Sequence, residues 1–543
     1  MHFGPKIATD GCVASIDGSD NGSFEVLIVA GGGGGGMDMG GGGGGGGVLY
    51  FPAMQLDPGT AYTVTVGIGG YGAPAGNGGF RTDGAGPQPS GHQFTISATQ
   101  GGNSVFGSFT AIGGGFGASS YYGYLPNSGI GGTGGSGGGC SAYTHGGERY
   151  VDGTNGSTAN NTPGQGFPGG NSGNPTTGAD DHYSGGGGGA AGRGTSGPGH
   201  AGPNGTRGNG GNGIENSILG TSYFWAGGGG GSGYSGDGGN GGVGGSGGGS
   251  ASNGNIGSAG AGGINVGSNG SAGANAPGGN AGANTGSGGG GGSHYNSNNK
   301  GGEGGSGIVV VAYKGPQRAT GGTIDTTSRP GFTLHKYTST GNSTFTPYAV
   351  DTAGNTNHCT FNGNAYLTKD GGNGGVFVFD GTGDYLTNPS FLAHQQSTGT
   401  IMAWAYPTAI VSDYYLLGAG GSTTYGATRA IRINGNNWSC VTYGSSTEDY
   451  NGIVAATTNI WQHAAFVWNG TTINFYLNGT LYSVTRSGMI NPTSTTFSIG
   501  APPWSLSISN WPGKIACARV YNRSLSTTEV QSIFNNTRKR FNV

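Results

Sequence analysis

Two neighbouring acids, Glu448 and Asp449, are the nearest approach in this chain to a catalytic carboxylate pair. Side chains alternate faces along a strand, so acid–base work on a glycosidic bond needs carboxylates of the same parity, and adjacent ones point apart. There is no Glu-x-Asp-x-Glu run, no HExxH motif and no Ser-His-Asp arrangement, and the ten histidines are scattered. The expectation is a protein that is not an enzyme. Five cysteines, Cys12, Cys140, Cys359, Cys440 and Cys517, are odd in number and lack CxxC spacing. They read as free thiols, with a Cys440–Cys517 disulfide left open. Asp380 and Asp384 carry the hard oxygen ligands that Ca²⁺ requires. The other reading of the same pair is a turn held by aspartate hydrogen bonds to backbone. No other cofactor is expected.

Aromatic residues set among small ones are the candidates for binding. Tyr121, Tyr122, Tyr124, Tyr143, Tyr183 and Trp225 punctuate glycine-rich text, and Trp438, Trp504 and Trp511 lie near turns. An exposed ring with an apolar face suits sugar stacking or protein contact, whereas the same ring buried between strands is packing. Trp404, Trp461 and Trp468 fall inside strand-like runs and read as core.

The elements that must position these residues divide the chain in two. Glycine makes up 135 of 543 residues, several times the usual share of about 7%. Of these, 109 precede Gly315. Residues 1–314 hold seven Lys/Arg against fourteen Asp/Glu, and residues 315–543 hold thirteen against nine. Neither half is basic enough for a phosphate-binding surface, so nucleic acid is not an expected partner. No run of 18 apolar residues is present, so no membrane span is expected. The opening residues lack an apolar signal-like run. A protein that acts outside a cell would then leave by lysis, inside a virion.

The first half opens on the apolar run Phe24 to Ala30, alternates at Tyr62 to Val66, and closes on Ile308 to Tyr313. Between them lie glycine runs at 31–36, 40–47, 137–139, 185–189, 227–231 and 288–292. Collagen would demand glycine at every third residue with abundant proline, and the register here breaks constantly. A floppy linker would not be punctuated by aromatics or framed by strands. The remaining reading is a packed bundle of polyproline-II-type rods. That conformation has about three residues per turn and no internal hydrogen bonds. Its backbone must therefore bond to neighbouring rods, at a closeness glycine alone permits.

From residue 375 short strand-like runs recur at regular spacing, with Asn469-Gly470 and Asn478-Gly479 as hairpin turns. A mainly β protein follows: a glycine-rich domain with a β-framework and polyglycine-II-like segments, then a β-sandwich. The expected division is an N-terminal segment 1–23, a glycine-rich domain 24–314, a linker with connecting strands 315–374, and a sandwich 375–543.

Two resemblances bear on function. Val26 to Ala30 followed by Gly31–Gly36, then Leu56 to Gly67, Gly101 to Gly107 and Gly304 to Val310, resembles the glycine-rich domain of phage tail-fibre and other virion proteins. Val378 to Leu386, Trp461 to Gly470, Phe475 to Gly479 and Gly513 to Ser526 resemble the laminin-G/concanavalin-like lectin superfamily. Phe3 to Gly11 and Arg538 to Phe541 resemble structural proteins of cyanobacterial phages. Together these imply a phage virion protein, of the tail-fibre adhesin type, that binds host surface glycans through exposed loops. The alternative is a capsid or tail decoration protein with a purely structural role. Implied partners are other virion proteins, a host surface glycan or protein, and copies of the same chain, with a trimer as the usual fibre state.

Overall fold

The computed structural model describes residues 12–16, 23–74, 98–119, 129–141, 161–172, 184–197, 208–233, 236–294, 299–315, 317–348, 359–369, 375–390, 397–420, 428–443, 447–470, 472–485 and 496–543. The fold is mainly β, and the sandwich expected of the second half is present.

The first half is framed by two five-stranded sheets. One runs in the order Thr323–Asp325, Phe332–Tyr337, Ile308–Lys314, Phe24–Val29, Val48–Met54, and the other Ala319–Thr320, Gly341–Pro347, Tyr62–Val66, Ser104–Phe106, Phe109–Ala111. Val26, Ile28, Val309 and Val311 face the second sheet, packing on Val64, Phe106 and Phe345. Leu27, Val29, Ile308 and Val310 face the other way, onto Ile218, Leu219 and Trp225. Burial on both faces explains why these two central strands read as unbroken apolar runs rather than alternating ones. Residues 317–348, within the expected stretch of linker and connecting strands, supply strands to both sheets.

The glycine runs form a lattice of rods. In Gly40–Gly47, the N–H groups of residues 40, 43 and 46 donate to the carbonyls of 292, 289 and 286. Those of 41, 44 and 47 donate to 118, 115 and 112, and those of 42 and 45 to 185 and 188. The carbonyls of the same rod accept from three further rods: 41, 44 and 47 from Gly36, Gly33 and Ala30; 40 and 43 from Ser232 and Gly229; 42 and 45 from Gly139 and Ser136. Every third residue thus addresses the same neighbour, as a threefold helix requires, and one rod is bonded to six others. A Cβ built on Gly43 would lie 2.1 Å from the carbonyl oxygen of Gly33. No side chain fits at that spacing.

The second half stacks a seven-stranded sheet on an eight-stranded one. Along Thr398–Pro407, Ile401, Ala403 and Ala405 enter the core between the sheets. Met402 and Trp404 point outward, under the C-terminal helix Thr527–Thr537 and the 3₁₀ turn Arg538–Phe541. That helix starts on a capping box between Ser526 and Glu529. The hairpin at Asn478-Gly479 places both residues at positive φ, the two-residue turn that Asn-Gly favours. The sandwich reaches back beyond residue 375, since Thr360–Asn362 and Tyr366–Lys369 are strands of it. Cys12–Ile16 also crosses over from the N-terminal segment, pairing with Pro512–Tyr521.

Candidate functional site

The helix packs on the outer face of the eight-stranded sheet. On the outer face of the seven-stranded sheet Tyr415, Ala430 and Val441 are buried as a small cluster apart from the core, with Trp504 packed against it. Trp504 is half-buried and meets the Tyr415 ring edge-on, at 5.1 Å and 88°. Beside the rings, Arg432 is buried, and its guanidinium donates to the Tyr415 hydroxyl at 2.8 Å, Asp413 at 3.1 Å and Asn451 at 3.0 Å. Asn434 donates to the same Asn451 oxygen at 3.0 Å. Arg432 and Asn434 stand on the strand that adjoins that of Tyr415, and Asp413 immediately precedes the latter, so the sheet fixes their spacing. A pinned polar net beside a partly exposed indole can accept and donate hydrogen bonds to hydroxyls while the ring covers an apolar sugar face.

The structure separates the other expected site residues. Trp438 and Trp511 are fully buried and stack on each other in the sandwich core, at 6.0 Å and 27°. Trp225 is fully buried beneath the framework sheet. These three offer no face to a sugar, and the expectation for them is corrected: each is next to a turn in sequence, but pairing across sheets seals it. Trp404 and Trp468 are buried as expected. Tyr121, Tyr122, Tyr124, Tyr143 and Tyr183 lie outside the described residues.

Asp380 and Asp384 behave as turn residues. Asp384 accepts the backbone N–H of Asn364 at 2.7 Å and of Asp380 at 2.9 Å, one on each oxygen. Asp380 accepts the Thr382 N–H at 2.7 Å and the Asn364 side-chain amide at 3.1 Å. These bonds, the Thr382 one foremost, hold the Asp380 carboxyl below its usual pKa. All four carboxylate oxygens are engaged, and no group of three or more acidic, His or Cys side chains gathers here or elsewhere among the described residues. The pair does not fit a Ca²⁺ cage. Cys440 and Cys517 are both buried free thiols, so the disulfide left open by the sequence is not formed.

A second region is defined by topology. The turn Met37 to Met39, with Asp38 and Met39 at positive φ, joins two glycine rods at the end of the lattice away from the framework. Met37 and Asp38 there touch Ser119 and His294, the last residues described before 120–128 and 295–298. The Met39 carbonyl accepts from Ser184, the first described after 173–183. The Asp38 carboxylate meets the His294 ring at 2.7 Å. Met37 also packs with Ala73 and Ala98, which flank 75–97. Ser119, Ser184 and His294 thus gather around this turn, at one end of the lattice. The opposite end meets the sandwich, where Gly59 lies so close to the Phe361 ring that a Cβ would fall 2.5 Å from it.

Comparison with known proteins agrees with the sandwich. Residues 380–531 match the concanavalin A-like lectin/glucanases superfamily. No curated protein sequence matches the chain. Among solved structures, the chain is similar to domain 4 of AbnA, a GH43 extracellular arabinanase from Geobacillus stearothermophilus, solved in complex with arabinotriose. That match has 19% identity and a TM-score of 0.30, covering 34% of this chain and 91% of that one. It is also similar to a structure of botulinum neurotoxin type C, whose cell entry depends on interaction with two ganglioside molecules. Identity is 15% and the TM-score 0.28, covering 35% of this chain and 48% of that one. The binding domain of Paraclostridial Mosquitocidal Protein 1 matches at 16% identity and a TM-score of 0.28, over 34% and 49%. The chain spans about half the length of these two toxin chains.

Proposed function

We propose that the protein is a non-enzymatic attachment protein that binds a surface glycan, carried on a virion as a fibre-type component. The observation that carries the glycan reading is the partly exposed Trp504 beside a polar net on the outer face of the seven-stranded sheet. In a fold matched to a lectin superfamily, that face presents Trp504 beside Asn434, Asn451 and Asp413, with buried Arg432 holding the net in place. The lattice supports the attachment reading. Its rods are bonded on all sides, a rigid support for binding residues, for which Tyr121, Tyr122, Tyr124, Tyr143 and Tyr183 remain the candidates read from the sequence. The virion location rests on the resemblance of the glycine-rich half to phage fibre domains.

Purified full-length protein on a glycan array, repeated with Trp504→Ala, tests the glycan reading. Loss of a half-exposed aromatic contact costs on the order of 1–2 kcal/mol at a binding surface, about fivefold to thirtyfold in affinity. The expected result is one glycan class bound by the parent and weakened to that extent in the variant, with unfolding unchanged. An array without any bound glycan, together with no competition for cell attachment at saturating protein, refutes the proposal and leaves a structural spacer as the reading. Antibody labelling on virions separates the locations: label at fibre tips supports attachment, and label over the capsid supports decoration.

A further inference from the structure

A second site lies on the flank of the lattice, far in sequence from the sandwich. A cavity of about 520 Å³ is lined by Val48, Asn161, Gln165, Phe167, Arg193 and Ile214, with glycines between them. Its walls are pinned. Gln165 accepts the Ile112 N–H at 2.8 Å and donates to the Thr110 carbonyl at 3.1 Å. The Phe167 backbone is bonded on both sides, to Gly189 and Gly137. Ile214 belongs to the hairpin strand Ile214–Asn216, opposite Trp225. Yet Phe167 and Ile214 are each 41% exposed, two apolar surfaces held open at one mouth. Pinned backbone cannot collapse to cover them, so their exposure is built in.

The charge beside them is as informative. Only three of the described residues before Gly315 are Lys or Arg: Arg193, Lys300 and Lys314. Arg193 alone lines this cavity; it is exposed, and no acceptor pairs with its guanidinium among the described residues. Asn161 spends its side-chain N–H on the Gly166 carbonyl at 2.8 Å, which turns its oxygen toward other donors. A ligand that matches must carry an anion for a planar fork, hydroxyls for an amide oxygen, and an apolar C–H face for a ring. We propose that this cavity binds a carboxylated sugar, such as a hexuronate residue of an acidic polysaccharide. Its carboxylate pairs with Arg193 in two parallel bonds. Its ring C–H face lies on Phe167 and Ile214, and the volume accommodates one to two sugar rings within the usual range of ligand pockets.

The test is calorimetric titration of the full chain with tri-galacturonate, and with a neutral trisaccharide of the same size. Binding of the acid form is expected, with the neutral form at least tenfold weaker. Arg193→Gln and Phe167→Ala each weaken the acid form roughly tenfold or more, the first through loss of a charge-assisted pair. Trp504→Ala leaves this binding unchanged, so failure here is distinguishable from failure of the sandwich reading. Absence of tri-galacturonate binding, equal affinity for the neutral sugar, or binding untouched by both cavity variants overturns the proposal.

Discussion

Replacing Gly43 with alanine tests the lattice more sharply than any other single change. The new Cβ would lie 2.1 Å from the Gly33 oxygen and 2.9 Å from the Gly34 oxygen, both backbone. Ordinary contact requires the two rods to part by more than about 1 Å, taking carbon–oxygen contact distances as a guide. Gly43 donates to Gly289 at 2.8 Å, Gly289 to Gly33 at 3.0 Å, and Gly33 to Gly44 at 2.9 Å, so such a shift breaks two of these bonds. Each buried backbone group left unpaired costs about 1–3 kcal/mol, and alanine returns roughly 0.5–1 kcal/mol by restricting the unfolded chain. The net expectation is a loss of about 1–5 kcal/mol. Gly192→Ala is the control, since its Cβ would meet nothing nearer than the Asn212 nitrogen at 3.3 Å. Differential scanning calorimetry of the full chain would read both. The glycine-rich transition should drop clearly in Gly43→Ala and move little in Gly192→Ala, with the sandwich transition constant. If the two variants unfold within about 1 kcal/mol of each other, the six-neighbour packing is wrong.

Two further outcomes concern the sandwich. Asp384→Ala strands the N–H groups of Asn364 and Asp380, and should cost about 2–4 kcal/mol in urea unfolding, while millimolar Ca²⁺ leaves the parent Tm unmoved; a calcium-dependent rise would overturn the turn assignment. Burial, and then the charge of Arg519, pushes the His463 pKa down to about 3. The unfolded chain therefore takes up that proton first. Stability held above about pH 6.5 is lost as pH falls, at up to about 1.4 kcal/mol per unit for this one group. Stability curves between pH 6.5 and 5 should be visibly flatter in His463→Leu than in the parent, and equal slopes would count against the buried neutral imidazole.

Much of the fold was legible, and the site less so. The strands from Phe24 and Ile308 announced themselves by β-branched runs, and the hairpins by Asn-Gly. Polyglycine packing followed by elimination, since a chain so poor in large side chains has only backbone bonds to offset its entropy. Which rod meets which was not legible, because glycine carries no side-chain pattern to set register. Trp438 and Trp511 misled because burial between two sheets depends on pairing far apart in sequence. Trp504, equally close to a turn, differs only in packing on the outer face. Arg432 was not singled out, since a lone arginine in a strand gives no sign of the tyrosine, aspartate and asparagine it joins.

The lattice separates what holds the fold from what can change. In an ordinary core a loop substitution is felt through packed side chains, because volume must be conserved. Here the rods hold one another by backbone bonds alone, and serines close several of their ends. Ser232 donates to the carbonyls of Gly40 and Gly292, Ser184 to Met39, and Ser293 to Ala276. These hydroxyls are buried and need nothing from the segments beyond them. Sequence between the rods can therefore vary in length and chemistry without disturbing the hydrogen bonds that fix the rods. A surface-attachment protein facing a changing partner benefits from that independence. A purely structural spacer has no use for it, and short glycine turns would serve it as well.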